Sequence, residues 1–289
     1  MTGQLLLIAL SLARIDPDTA IHLPRNGAVE IDTRTLDITV HIGAGDVVTV
    51  RGGDAELAGG TLQIDGNEDD RRVRVLDVTV PAWARLEVSS VNGNLTFSGS
   101  PSRLHAETVS GSIRLNGGSG DAELEAVGGP VTVTDFHGTR LSIDATGDSV
   151  AVTNATGSIE IDAINGSVAM RGIRSDRVAA ASVNGGVAFE GALSPTGHYE
   201  FTSQNDDVTL TLPADVSARM RISTMNGGLR TEIPATTTGI SARATPGVKG
   251  GDKHQETDGE RTFIVTFGAG SAQVTVDVYN GNLVVKRQR

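Results

Sequence analysis

The chain has no cysteine among its 289 residues. That excludes disulfides, thiolate metal sites, a cysteine nucleophile and a lipid anchor on cysteine. Aromatic residues are scarce as well, at 3% of the sequence, so there is little for sugars or bases to stack on. Basic residues are outnumbered, 24 against 35 acidic ones, for a formal net charge of -11. Nucleic-acid binding needs clustered Lys and Arg to neutralise phosphates, so nucleic acid is excluded as a partner, and anionic membrane surfaces are disfavoured on the same ground. The longest apolar run, Leu5 to Leu12, is far shorter than the roughly 20 residues of a transmembrane helix, which gives no transmembrane segment. No phosphate-binding Gly-x-x-x-x-Gly-Lys loop, Gly-x-Ser-x-Gly elbow or calcium-binding Gly-Gly-x-Gly-x-Asp repeat occurs. The six histidines (His22, His41, His105, His137, His198 and His254) are scattered and read as surface or corner residues.

What is present is a repeat. Between Leu86 and Thr231 a unit recurs eight times, and a ninth copy spans Val274 to Val285. An apolar anchor follows a turn in each copy: Leu95, Ile113, Val131, Val150, Val168, Val187, Val208, Leu229 and Leu283. Apart from the step to the last copy, anchors are 18 to 21 residues apart. A fixed short period of this kind marks a solenoid, in which no unit can bury its apolar face alone. The columns nine and seven residues before the anchor are apolar or aromatic, as in Ile159 and Ile161, and the column five before is mostly small, as in Ala163. Residues two apart share a face of a strand, so these columns point into the core, as do the anchor and the residue two after it.

The corner between the two strands carries Asn92-Gly93, Asn165-Gly166, Asn184-Gly185, Asn226-Gly227 and Asn280-Gly281. Asn and Gly tolerate positive φ, which a tight corner is expected to require, and stacked Asn side chains can hydrogen-bond from rung to rung. A hairpin meander is rejected because the turn recurs always at one phase. The resulting fold class is all-β: a single-chain parallel β-solenoid of about nine rungs, with irregular N-terminal capping strands.

Five segments follow. Residues 1–13 read as a short export signal ending at small residues, although no Lys or Arg precedes the apolar run; the rival reading is a buried strand. Residues 28–85 alternate without the rungs' period and are expected to cap the solenoid, with Trp83 a capping core residue. Residues 86–233 are regular rungs, 234–261 an inserted mobile loop without alternation, and 262–289 the final rung and C-terminus.

Glu107, Glu125, Asp144 and Asp162 lie six residues before four successive anchors, and Glu87, Glu123, Glu160 and Glu200 lie eight before. Facing outward, they make an acidic stripe. It serves as a solvated face that keeps the sheet from pairing, or as a calcium site, since oxygen-rich clusters suit hard cations. No other cofactor is expected.

The steps Ser90-Val91-Asn92-Gly93, Thr108-Val109-Ser110-Gly111 and Ser182-Val183-Asn184-Gly185 resemble a bacterial candidate-adhesin family, a domain of unknown function. Leu210 to Ala214 leading into Ser223 to Gly227, and Phe267 to Gly270 leading into the last copy, resemble it too, for a coverage of roughly residues 30–289. The resemblance implies an extracytoplasmic β-solenoid and assigns no functional residue. The function expected is a non-enzymatic adhesin or envelope scaffold that binds a protein or glycan, in the periplasm, at the cell surface or secreted. The alternatives are a polysaccharide-active β-helix enzyme and a rigid structural spacer.

Overall fold

The computed structural model describes residues 18–66, 74–242 and 261–288. These form 26 strands and, among the described residues, no helix. Each rung contributes one strand to each of two faces around a common core: Arg103–Thr108 to one and Ile113–Asn116 to the other, for example. We call these the acidic face and the anchor face. Neighbouring rungs pair in parallel and in register, Leu104 beside Leu86 and Ala122, Ile113 beside Leu95 and Val131. Alternation does the rest, since every second side chain must then enter the core. Ile161 lies between Ile143 and Ala180 and is 1% exposed. Across the core, Phe189 of the anchor face meets Phe201 of the acidic face at 5.4 Å between ring centroids. The parallel β-solenoid is therefore the fold.

The rungs do not stack in chain order. The last one, Ala272–Val278 with Leu283–Arg287, pairs on one side with His198–Ser203 and Val208–Leu212, and on the other with Ala218–Thr224 and Leu229–Thr231. The N-terminal end mirrors this. Ala28–Thr33 with Asp37–Gly43 sits between Thr61–Gly66 with Val75–Pro81 and Arg85–Ser90 with Leu95–Ser98. Both terminal rungs of the chain are thus paired on two sides, which protects them from the fraying that free ends suffer. Antiparallel strands follow at the spatial ends: Gly53–Ala58, Val47–Arg51 and Asp18–His22 at one, Arg261–Phe267 and Thr236–Ala242 at the other. They interrupt the parallel template that would otherwise stay open for another chain, on both faces at the first end and on the acidic face at the second.

Three expectations are corrected. Residues 28–85 hold two full rungs in register with the array, not only an irregular cap; the antiparallel strands between them hide the period. Within 234–261, Thr236–Ala242 is a strand, because edge pairing through the backbone needs no apolar alternation; residues 243–260 lie outside the described residues, as does the segment 1–13. The corner glycines are needed for close approach, not for positive φ. A Cβ on Gly166 would sit 1.9 Å from the Asp148 carbonyl oxygen. Positive φ belongs to the opposite corner, four residues after the anchors, at Gly99, Gly117, Asp135, Asn154 and Gly172. Trp83 is partly buried against the core and donates its indole N–H to the Gly45 carbonyl at 2.9 Å.

Candidate functional site: the acidic face

Parallel registration turns each outward column into a row along the solenoid. Glu107 lies beside Glu125, Glu125 beside Asp144 and Asp144 beside Asp162, so the structure brings the four acids together as neighbours on successive strands. Burial raises the pKa of Asp144 above the usual carboxylate value, and the charges of Asp162, Glu125, Glu123 and Glu160 raise it further. Asp162 is raised in the same way, by burial first and then by Glu160. Ser89 continues the row to Asp32 and Asp65.

The second acidic row is interrupted. His105, Ser142 and Ala179 alternate with Glu87, Glu123, Glu160 and Glu200. A third row, two residues further out, holds Arg85, Arg103, Arg140 and Arg177 with Asp121 and Ser158 between. Arg140 donates to Glu160 at 2.7 Å. The face is therefore banded, arginine-rich along one margin and carboxylate-rich along the other.

Among the described residues, His105, Glu123 and Glu125 can bring one ligand atom each within 4.8 Å of one another, and His105 Nδ1 is 3.7 Å from a Glu123 carboxylate oxygen. Reading histidines one by one missed His105. Its position eight before the anchor Ile113, in the column of Glu87 and Glu123, was the available signal. An imidazole with two carboxylates suits zinc-like ions, whereas the all-oxygen row of Glu107, Glu125, Asp144 and Asp162 suits calcium.

The corner bordering this face is a structural seam. Asn184 donates to Asn165 at 2.8 Å, Asn205 to Asn184 at 2.9 Å, Asn280 to Asn205 at 3.0 Å and Asn226 to Asn280 at 2.9 Å. Beneath it, Ser182 Oγ donates to the Gly166 carbonyl at 2.9 Å and accepts from the Gly185 N–H at 3.0 Å. Asn92, where the ladder has not begun, donates its backbone N–H to the Arg34 carbonyl, and Gly93 donates its own to Ser90 Oγ. Of the residues just before the corner position, Val91, Val109, Val127, Ile164 and Tyr279 are apolar or aromatic and each more than 40% exposed.

Beyond Ala179 and Ala181 the carboxylates thin to Glu200 and Asp277 among Thr202, Thr275, Ser223 and Arg221. There the face sinks into a depression of about 690 Å³ over the rungs of His198–Ser203, Ala272–Val278 and Ala218–Thr224. A second depression of about 320 Å³ adjoins it at Thr275.

The Toastrack DUF4097 family model matches residues 19–285, the whole solenoid from its first antiparallel strand to its last rung. The chain belongs to the Toastrack family. Solved structures similar to this Toastrack chain include a candidate adhesin from Parabacteroides merdae (10% identity, covering 93% of this chain and 95% of that one, TM-score 0.48). A candidate lipid-binding protein from Parabacteroides distasonis is 12% identical over 94% of this chain and 98% of its own, with a TM-score of 0.40. A candidate cell adhesion protein from Clostridium sporogenes is 7% identical over 94% and 99%, with a TM-score of 0.22. None of the curated proteins compared with the chain matches it. Among the described residues, no helix is long and apolar enough to cross a membrane.

Proposed function

We propose that this Toastrack protein is a non-enzymatic, extracytoplasmic binding or scaffold protein of the bacterial envelope, adhesin-like in role, whose acidic face contacts a protein or glycan. The banding of that face supports the reading: in-register rows of arginine and carboxylate present one charge pattern over many rungs. A repeated flat pattern suits an extended partner, because small increments of affinity add along its length. Catalysis instead concentrates a few convergent groups around one reacting atom.

One observation favours the polysaccharide-cleaving alternative. Asp144 and Asp162 are carboxylates side by side on neighbouring strands, and glycoside hydrolysis uses a carboxyl pair, one protonated as acid and the other ionised as base or nucleophile. One experiment separates the two. The protein is incubated with bacterial envelope fragments and a panel of acidic and neutral polysaccharides, and both co-sedimentation and new reducing or unsaturated ends are measured. Co-sedimentation without new ends is expected. New ends formed over many turnovers would replace the binding reading with the enzymatic one.

A further inference from the structure

We infer that the 690 Å³ depression is a saccharide-binding site with the ring of Tyr279 as its stacking platform; this rests on the binding-protein reading above. The aromatic residues set Tyr279 apart. Phe97, Phe136, Phe189, Phe201 and Phe267 are fully buried, and Trp83 and Phe263 are packed against the core. The other tyrosine, Tyr199, is 3% exposed, with its hydroxyl donating to the Ser175 carbonyl at 2.7 Å and accepting from the Ser194 N–H at 2.8 Å. Tyr279 alone stands out, 53% exposed. It is the one aromatic among the exposed residues that precede the corner, and its side chain lines the depression, where a ring can stack on an apolar ligand face.

Its neighbours match the chemistry of a sugar. Two residues before Tyr279, Asp277 lies between Thr202 and Ser223; two before that, Thr275 lies between Glu200 and Arg221. The short hydroxyl side chains of Thr202, Ser223 and Thr275 line the depression together with Tyr279, Arg221 and Gln204. A pyranose offers an apolar C–H face for the ring, and vicinal hydroxyls that each donate and accept. Asp277 supplies an acceptor, Arg221 donors, and Thr202 and Thr275 hydroxyls that do either. The volume is that of a small-molecule site. The adjoining depression extends it along the solenoid axis past Glu160, Arg177 and His198, which accommodates an oligomer better than a single sugar. One carboxylate, Asp277, and one guanidinium, Arg221, line the larger depression, so a neutral ligand fits best.

Calorimetric titration of the full chain with chitin-, cellulose- and starch-derived hexasaccharides, and with an oligouronate, tests the site. Binding of a neutral oligosaccharide is expected. Tyr279→Ala should weaken it about tenfold, the scale of one lost ring contact, and Asp277→Ala should weaken it as well. Tyr279→Phe should keep it, and all three variants should melt with the wild type. No saccharide binding, or binding indifferent to Tyr279→Ala, overturns the inference. Envelope co-sedimentation that survives Tyr279→Ala in that case leaves the broader binding reading intact, so the two fail separately.

Discussion

Asn280 donates from Nδ2 to Asn205 Oδ1 at 3.0 Å across 75 residues of chain, while Asn226, 54 residues before it, donates to Asn280 in turn. The last rung has been slipped between two earlier ones, and the Asn ladder runs through it unbroken. This insertion also builds the depression, since Tyr279 and Asp277 reach the acidic face only by entering between the rungs of Gln204 and Met225. Asn280→Ala removes two side-chain hydrogen bonds and should cost about 1 to 2 kcal/mol, read as a lower urea midpoint. An unchanged midpoint would make the ladder ornamental to stability.

Ile161→Asp should abolish cooperative folding. The side chain is fully enclosed, and an unpaired buried carboxylate costs several kcal/mol against a total of about 5 to 15. Its exposed neighbour, Asp162→Ser, should be nearly silent. Thermal melts in the reverse order would refute the strand phase.

That phase was legible in the sequence, and rung order was not. A period states which residues share a column and is indifferent to which copies are neighbours. Val29-Ile31 and Leu62-Ile64 pair in register, but the antiparallel strands Val47–Arg51 and Gly53–Ala58 separate them by a distance that masks the repeat. The four acids could be placed side by side because consecutive copies happen to stack in order there. Tyr279 could not be placed beside Gln204, since the two copies are separated in the chain by a whole rung and two antiparallel strands.

Gly166→Ala should destabilise by about 1 to 3 kcal/mol, because the added methyl meets the Asp148 carbonyl oxygen and the rungs cannot separate locally. Gly228→Ala, whose methyl meets nothing within 4 Å, is the matched control and should change little. Equal urea midpoints for the two would dismiss close rung approach as the reason for the corner glycines.

The acidic row carries a pH signature. Asp144 and Asp162 have raised pKa values in the fold, so the folded state holds its protons more tightly than the unfolded chain. Their contribution is complete below the ordinary carboxylate value of 3.8 and is lost as pH rises through the folded pKa. Asp144→Asn should therefore raise stability at pH 7, by less than about 1 kcal/mol for so exposed a group, and give no gain below the ordinary carboxylate range. A loss at pH 7 would reverse the sign. Millimolar calcium should raise the wild-type melting temperature beyond sodium chloride of matched ionic strength, and Asp144→Asn should remove the excess. Equal gains in the two salts would leave the row a solvated face.

Rung order is tested most directly by cross-linking, and the absence of native cysteine makes the background clean. Adjacent rungs lie about 4.8 Å apart, within disulfide reach, whereas two rung spacings, about 9.6 Å, exceed the roughly 7 Å limit on the Cα separation. The pair Asn205→Cys with Asn280→Cys should therefore oxidise to an intramolecular disulfide in the folded protein, and the pair Asn205→Cys with Asn226→Cys should not, as read by intact mass after alkylation. A disulfide in the second pair and none in the first would mean that the rungs stack in chain order, and would contradict both the inserted rung and the depression it forms.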